Sequence, residues 1–126
     1  MARPNNASSS PDALVDDALA MTSPGRCVWV ALSGGLDSSL LLTLAVAACR
    51  RHPRPLYAVH VNHGLQDAAA AFEAHARWLC GRLGVPLFVE RARVERGARG
   101  LEAHARDARL AAFARRVAPG ETLLLA

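Results

Sequence analysis

Between two apolar runs, the stretch Ser33-Gly34-Gly35-Leu36-Asp37-Ser38-Ser39 gathers two glycines, three hydroxyls and one carboxylate. An apolar run on its N-terminal side ("CVWVAL", Cys27 to Leu32) reads as a strand, and the run that follows the glycines ("SSLLLTLAVAACR", Ser38 to Arg50) reads as a helix. A turn of this kind leaves the first amides of a helix without intrahelical partners, at the positive end of its dipole. Such amides favour an anion, and a phosphate first of all. Gly34 and Gly35 let backbone approach phosphate oxygens closely and adopt positive φ where needed. Ser33, Ser38 and Ser39 add hydroxyl donors, and the backbone of Leu36 continues the same turn. Asp37 is placed either to hold a magnesium ion or to cap the helix.

The commoner phosphate loops do not fit. A G-x-x-x-x-G-K-[ST] loop needs a lysine to reach the outer phosphates, and all 15 side-chain cations are arginine. A G-x-G-x-x-G fingerprint needs a third glycine that this turn lacks. Two further groups carry chemistry-bearing side chains. His60, Val61, Asn62 and His63 precede Gly64 at the end of an apolar run, where each histidine is either a ligand-facing group or a satisfied core or surface residue. Glu102, Arg106 and Arg109 stand at i, i+4 and i+7, on one helix face. Glu102 with Arg106 is open to a second reading as a solvated ion pair.

Strands and helices alternate in the order these groups require. Ser10-Pro11-Asp12 is a helix-start signal, so a short helix is expected to about Met21, broken by Ser23 to Gly25. "LYAVHV" (Leu56 to Val61) and "PLFVE" (Pro86 to Glu90) read as buried strands, and an Ala-rich helix capped by Asp67 runs between them to about Leu83. Residues 96–100 form a glycine-punctuated loop, "LEAHARDARLAAFARRV" a long helix, and "TLLLA" the start of a fourth strand. The expected fold is α/β, a Rossmann-like open parallel sheet with helices on both faces, truncated after its fourth strand at Ala126. Residues 1–25 would be a tail with a short helix, and residues 26–126 a partial nucleotide-binding domain.

Composition agrees with this reading. The 126 residues are 52% apolar and only 5% aromatic, which suits Ala, Leu and Val helices packed on a sheet. A net charge of +4 permits an anionic partner. Cys27, Cys49 and Cys80 have neither C-x-x-C spacing nor a histidine at metal-ligand spacing, and read as reduced core thiols. Neither a signal-peptide core nor an apolar run of membrane-spanning length occurs, so a soluble cytoplasmic protein without a membrane partner is expected.

The loop resembles the SGGxDS loop of the PP-loop ATP pyrophosphatases, which grip the pyrophosphate of ATP and cleave between its α and β phosphates. "HVNHGL" and "GLEAHARDARLAAFARR" are similar to two segments of the tRNA(Ile)-lysidine synthases within that superfamily, so the resemblance spans about residues 26–126. It implies a ligase that uses ATP and Mg2+ to join free L-lysine to the wobble cytidine of a tRNA(Ile) with a CAU anticodon, through an adenylated intermediate. Ser33, Gly34, Gly35, Leu36, Asp37, Ser38, His60, Val61, Asn62, His63 and Arg109 would then bind the nucleotide. Asp37 and Arg106 would be catalytic, with Asp37 on the metal. Leu110 departs from the tyrosine usual at that place in the family. The family's acidic H-x-x-D-D-Q-x-E-T segment would follow the fourth strand, so the chain is expected to be an N-terminal ATP-binding part, inert alone, of a protein that dimerises at full length. The rivals are another PP-loop enzyme, for tRNA thiolation or amide formation, and a nucleotide-binding module without chemistry.

Overall fold

The computed structural model describes residues 10–64, 68–92 and 101–126, with backbone alone over 101–105. The loop expected at 96–100, the cap expected at Asp67 and the side chain of Glu102 lie outside the described residues.

Among the described residues, four strands form one parallel sheet: β1 (Val28–Ala31), β2 (Leu56–Asn62), β3 (Leu87–Arg91) and β4 (Thr122–Leu124), in the order β3-β2-β1-β4. Among the described residues, four helices, α1 (Pro11–Ala20), α2 (Leu36–Arg51), α3 (Ala69–Leu83) and α4 (Leu101–Arg116), precede or connect them. Register pairs Val28 with both Leu56 and Thr122, and Ala58 with Leu87. The expected boundaries shift by one or two residues. β3 starts at Leu87 because Pro86 has no N–H to give a ladder, although its carbonyl accepts from Ala58 N at 2.9 Å.

The pleat divides the core between two faces, since successive side chains of a strand point to opposite sides. Val30, Leu32 and Ala58 face α2 and α3, where Leu42, Ala45, Val46, Ala76 and Cys80 cover them. Trp29 and Val59 point the other way, onto Phe113 of α4, with Tyr57 and Phe88 beside them. A strand covered on both faces cannot alternate apolar with polar residues, which is why β1 reads as an unbroken apolar run.

Local chemistry ends the helices where the sequence changes. Ser10 caps α1, its Oγ accepting from Ala13 N at 3.2 Å, and Pro11 occupies the first turn. Val15 and Leu19 of α1 pack with Val28, Ala48 and Cys49, and Asp16 pairs with Arg51 of α2 at 2.8 Å. α3 stops at Gly84, whose φ of +71° is left-handed. On the far face, Glu90 of β3 receives Arg115 at 3.1 Å and Arg116 at 2.7 Å, tying α4 to the sheet edge. No helix among the described residues is long and apolar enough to cross a membrane.

Leu42 is fully buried and Leu40, two residues earlier on α2, is 53% exposed. Leu42→Ala is therefore expected to destabilise by about 2 to 5 kcal/mol, whereas Leu40→Ala should stay within about 0.5 kcal/mol, as read by urea denaturation.

Candidate nucleotide-binding site

β1 gives way to α2 through a turn whose geometry is set by serines. Leu32 N donates to Val59 O at 2.8 Å, and the Leu32 carbonyl lies 2.7 Å from Nδ1 of buried His60. A carbonyl only accepts, so Nδ1 of His60 carries the proton. Beyond Leu32, the buried Ser38 hydroxyl accepts from Ser33 N at 3.0 Å and lies 2.9 Å from Ser33 Oγ, and Ser33 Oγ accepts from Gly35 N at 3.1 Å. Ser33 and Ser38 thus brace the turn internally.

The two glycines differ. Gly34 has φ +90°, and a Cβ there would lie 2.6 Å from Phe72 Cβ and 2.9 Å from Phe72 Cα. The first turn of α3 therefore rests directly on the Gly34 backbone. Gly35 has φ −88° and ψ 176°, ordinary extended backbone, so the expected freedom to take positive φ is used at Gly34 alone. Gly35 is also the N-cap of α2, and no side chain caps that end. The leading amides of Leu36, Asp37 and Ser38 thus lie where a helix has no internal acceptors. The Leu36 and Asp37 side chains are exposed above them.

Beside the turn, at the C-terminal ends of β1 and β2, opens a cleft of about 360 Å3. Ser33, Ser38, His60, Val61, Asn62, His63 and Arg109 line it, together with Phe72, Phe113 and the last two residues, Leu125 and Ala126. Gly34, Gly35, Leu36 and Asp37 form the adjoining turn rather than the cleft wall. Arg106, one turn before Arg109 on α4, is exposed and is not part of the lining.

Asn62 organises the end of β2. Its Oδ1 accepts from Gly64 N at 2.8 Å, and its Nδ2 donates to Glu73 Oε1 of α3 at 3.0 Å. Glu73 also receives Arg77 and Arg91, each at 3.1 Å. The Asn62 hydrogen bond, helped by those two guanidinium groups, holds the Glu73 carboxyl down to about 2 despite its burial. His63 Nδ1 is buried and finds no hydrogen-bond partner among the described residues. Burial, then the charges of Arg109 and His60, push the His63 pKa below its ordinary value, so the ring is neutral at pH 7. Arg109 lies with its Cζ 5.7 Å from the Phe113 ring centroid.

His75 and Phe72 are the site residues that sequence reasoning missed. His75 Nε2 is 3.1 Å from Ser39 Oγ, and Phe72 seats Gly34. The three cysteines are buried and free, as expected, and burial pushes the Cys27 and Cys80 thiols up to about 11. No group of three His, Cys, Asp or Glu side chains that could hold a metal ion occurs among the described residues.

Residues 7–126 match the PP-loop domain family. The chain is 45% identical over 102 residues to the tRNA(Ile)-lysidine synthases of Salmonella dublin, Salmonella paratyphi B and Salmonella typhi, covering 80% of this chain and 24% of each relative. It therefore spans about a quarter of the length of the curated relatives it matches. Among solved structures, it is similar in fold to a U34-tRNA thiolase from Methanococcus maripaludis, with a TM-score of 0.52 and 22% identity over 68% of this chain and 27% of that one. An NH3-dependent NAD synthetase from Campylobacter jejuni gives a TM-score of 0.50 and 21% identity over 64% of this chain and 32% of that one.

The glycine geometry makes one prediction. Gly34→Ala places a Cβ on Phe72 backbone at positive φ and should destabilise by roughly 2 to 4 kcal/mol, while Gly35→Ala, allowed by its φ and touching only Ser33 Oγ, should cost under about 1 kcal/mol. Thermal unfolding of the two variants separates them. A second prediction concerns acid. A carboxyl whose folded pKa is depressed contributes stability above its unfolded value, lost as pH falls through the folded one. Glu73 should therefore contribute fully above about pH 4.5 and progressively lose that contribution towards pH 2, and Glu73→Gln should flatten this part of the stability profile. An unchanged acid limb in the variant would refute the assignment.

Proposed function

The chain belongs to the PP-loop domain family, and from that premise we propose that it is the ATP-gripping part of a tRNA(Ile)-lysidine synthase, acting in the cytoplasm. The observation that carries this reading is the 45% identity to tRNA(Ile)-lysidine synthases over 80% of the chain. The unit that binds nucleotide is residues 26–126, with α1 packed against it.

ATP sits with its polyphosphate over the start of α2 and its base in the cleft. The leading amides of Leu36, Asp37 and Ser38 face the phosphates, with the uncapped helix end supplying the dipole. Main chain at Val61 and side chains at His60, Asn62 and His63 surround the adenine. Neutral His63 suits a neutral heterocycle. Arg109 reaches in from α4, where its charge offsets charge on the phosphates. Arg106, on the same helix but outside the cleft, faces the tRNA backbone or the outgoing pyrophosphate. Mg2+ fits this donor set, because it is commonly held by one or two carboxylates together with substrate phosphates, and Asp37 offers one exposed carboxylate in the first turn of α2. When bound, it would neutralise the pyrophosphate.

The reaction proposed for the whole protein has two displacements. The cytidine O2 attacks the α-phosphorus of ATP and pyrophosphate leaves. The ε-amine of free L-lysine then attacks C2, and AMP leaves. This segment serves the first displacement by holding the leaving group and orienting the α-phosphate. Lysine, the tRNA anticodon and any second subunit would be met largely by other parts of the full-length protein. Thiolation is the less favoured reading, since these three cysteines are buried, with thiols that burial keeps protonated at neutral pH.

A chimaera tests the proposal: the corresponding N-terminal segment of the Salmonella enzyme is replaced by this chain and placed in a strain lacking its own synthase. Growth, with labelled lysine entering tRNA(Ile) bearing CAU and not a transcript bearing GAU, is the expected result. A folded chimaera that binds ATP yet transfers no lysine would overturn it.

A further inference from the structure

His75 has no role in the nucleotide reading above, yet it touches the turn that reading depends on. Its Nε2 lies 3.1 Å from Ser39 Oγ, and Ser39 Oγ lies 2.8 Å from the Gly35 carbonyl oxygen. A hydroxyl has one proton, and here the carbonyl can only accept it. Ser39 therefore donates to Gly35 O, and the imidazole must donate to Ser39 through a protonated Nε2. The ring is held for that task by Trp78, whose centroid is 6.0 Å away, and Arg82 in turn stands 5.9 Å from the Trp78 ring.

The consequence falls on a single peptide group. Gly35 O is also 3.2 Å from Ser39 N and 3.3 Å from Ser38 Oγ, so this carbonyl is drawn into the first turn of α2 from three directions. Across a planar trans peptide the C=O and the following N–H point in opposite senses. Fixing Gly35 O inward therefore aims the Leu36 N–H outward, towards the mouth of the turn. Hydrogen bonds in series polarise one another, so a donor at the far end strengthens the chain that ends at that amide.

We propose that His75 is a positioning residue for the phosphate-gripping turn: through Ser39 it locks the Gly35–Leu36 peptide so that the Leu36 N–H meets the polyphosphate. The proposal rests on the nucleotide reading above. Calorimetric titration with ATP, alongside thermal unfolding, tests it in four variants. His75→Ala and Ser39→Ala should each weaken ATP binding about tenfold, as the loss of one well-placed donor does. The double variant should lose no more than either single one, because both act through one bond. His75→Gln, whose amide reaches a similar point as a donor, should restore most of the affinity. Additive losses, an unchanged affinity in His75→Ala, or a lowered midpoint that His75→Gln fails to rescue would each overturn the proposal. A wild-type chain that unfolds cooperatively but binds no ATP would instead sink the nucleotide reading, a result independent of the variants.

Discussion

Everything in the site follows from how closely α3 rests on the turn after β1. Phe72 sits where any side chain on Gly34 would be, so the turn is pressed between its own strand and the neighbouring helix. Close-packed contacts of this kind transmit position because they leave no slack. The turn can neither rise away from the sheet nor rotate its amides without displacing α3. Ser33 and Ser38 then set the local hydrogen bonds within limits that packing has already drawn. A glycine at this place thus has a packing reason that would hold with no ligand present, and the close approach of phosphate is a second use of the same missing side chain.

The charges are distributed on a similar plan. Two mostly buried carboxylates each hold a pair of guanidinium groups: Glu73 takes Arg77 and Arg91 beside the cleft, and Glu90 takes Arg115 and Arg116 on the far face. Burial alone would push the Glu90 carboxyl up, but the hydrogen bonds from Arg116 and Arg115 bring it below its ordinary range. Arginine suits such clusters because its planar fork makes several bonds at once and stays charged, which accords with a chain that uses no lysine. Arg116 also stacks 4.7 Å above the Phe88 ring. These pairs tie helices to strand ends, so the clusters fix the walls of the cleft, and among the described residues Arg109 is the arginine that lines it.

How far the sequence disclosed this depends on whether a feature is local. The apolar runs of β1 and β2, the cap at Ser10 and the glycine turn are written within a few neighbouring residues, and the parallel sheet follows from the alternation of strands and helices. The facing of Ser39 by His75 is separated by 36 residues and depends on the rotation of α3 about its own axis. An Ala-rich helix with weak apolar patterning leaves that rotation undetermined, so the sequence gives no sign which of its polar residues turns inward. The role of Asn62 was hidden for the same reason: at a strand end it reads as a ligand group, yet both its polar atoms are engaged, one by Gly64 and one by Glu73. Gly35 carries the same expectation of positive φ as Gly34, whereas its extended backbone would accept other residues. Two adjacent glycines do not reveal which one the turn needs.

The order β3-β2-β1-β4 explains why the cleft lies where it does. The chain leaves β1 through α2 to build β2 and β3 on one side, then returns through α4 to place β4 on the other. Helices on opposite sides of the sheet diverge above the C-terminal end of β1, and a crevice opens where successive connections part. Phe72 of α3 lines one side of it, and Arg109 and Phe113 of α4 line the other. The helix that begins at the crevice is α2, whose uncapped end supplies amides rather than side chains. A fold with β4 beyond β3 would keep the same glycine turn but bring α4 to the face already occupied by α2 and α3, and Arg109 would have no route to the cleft. The serine and glycine turn makes an anion site available, and the strand order brings a cation to face it.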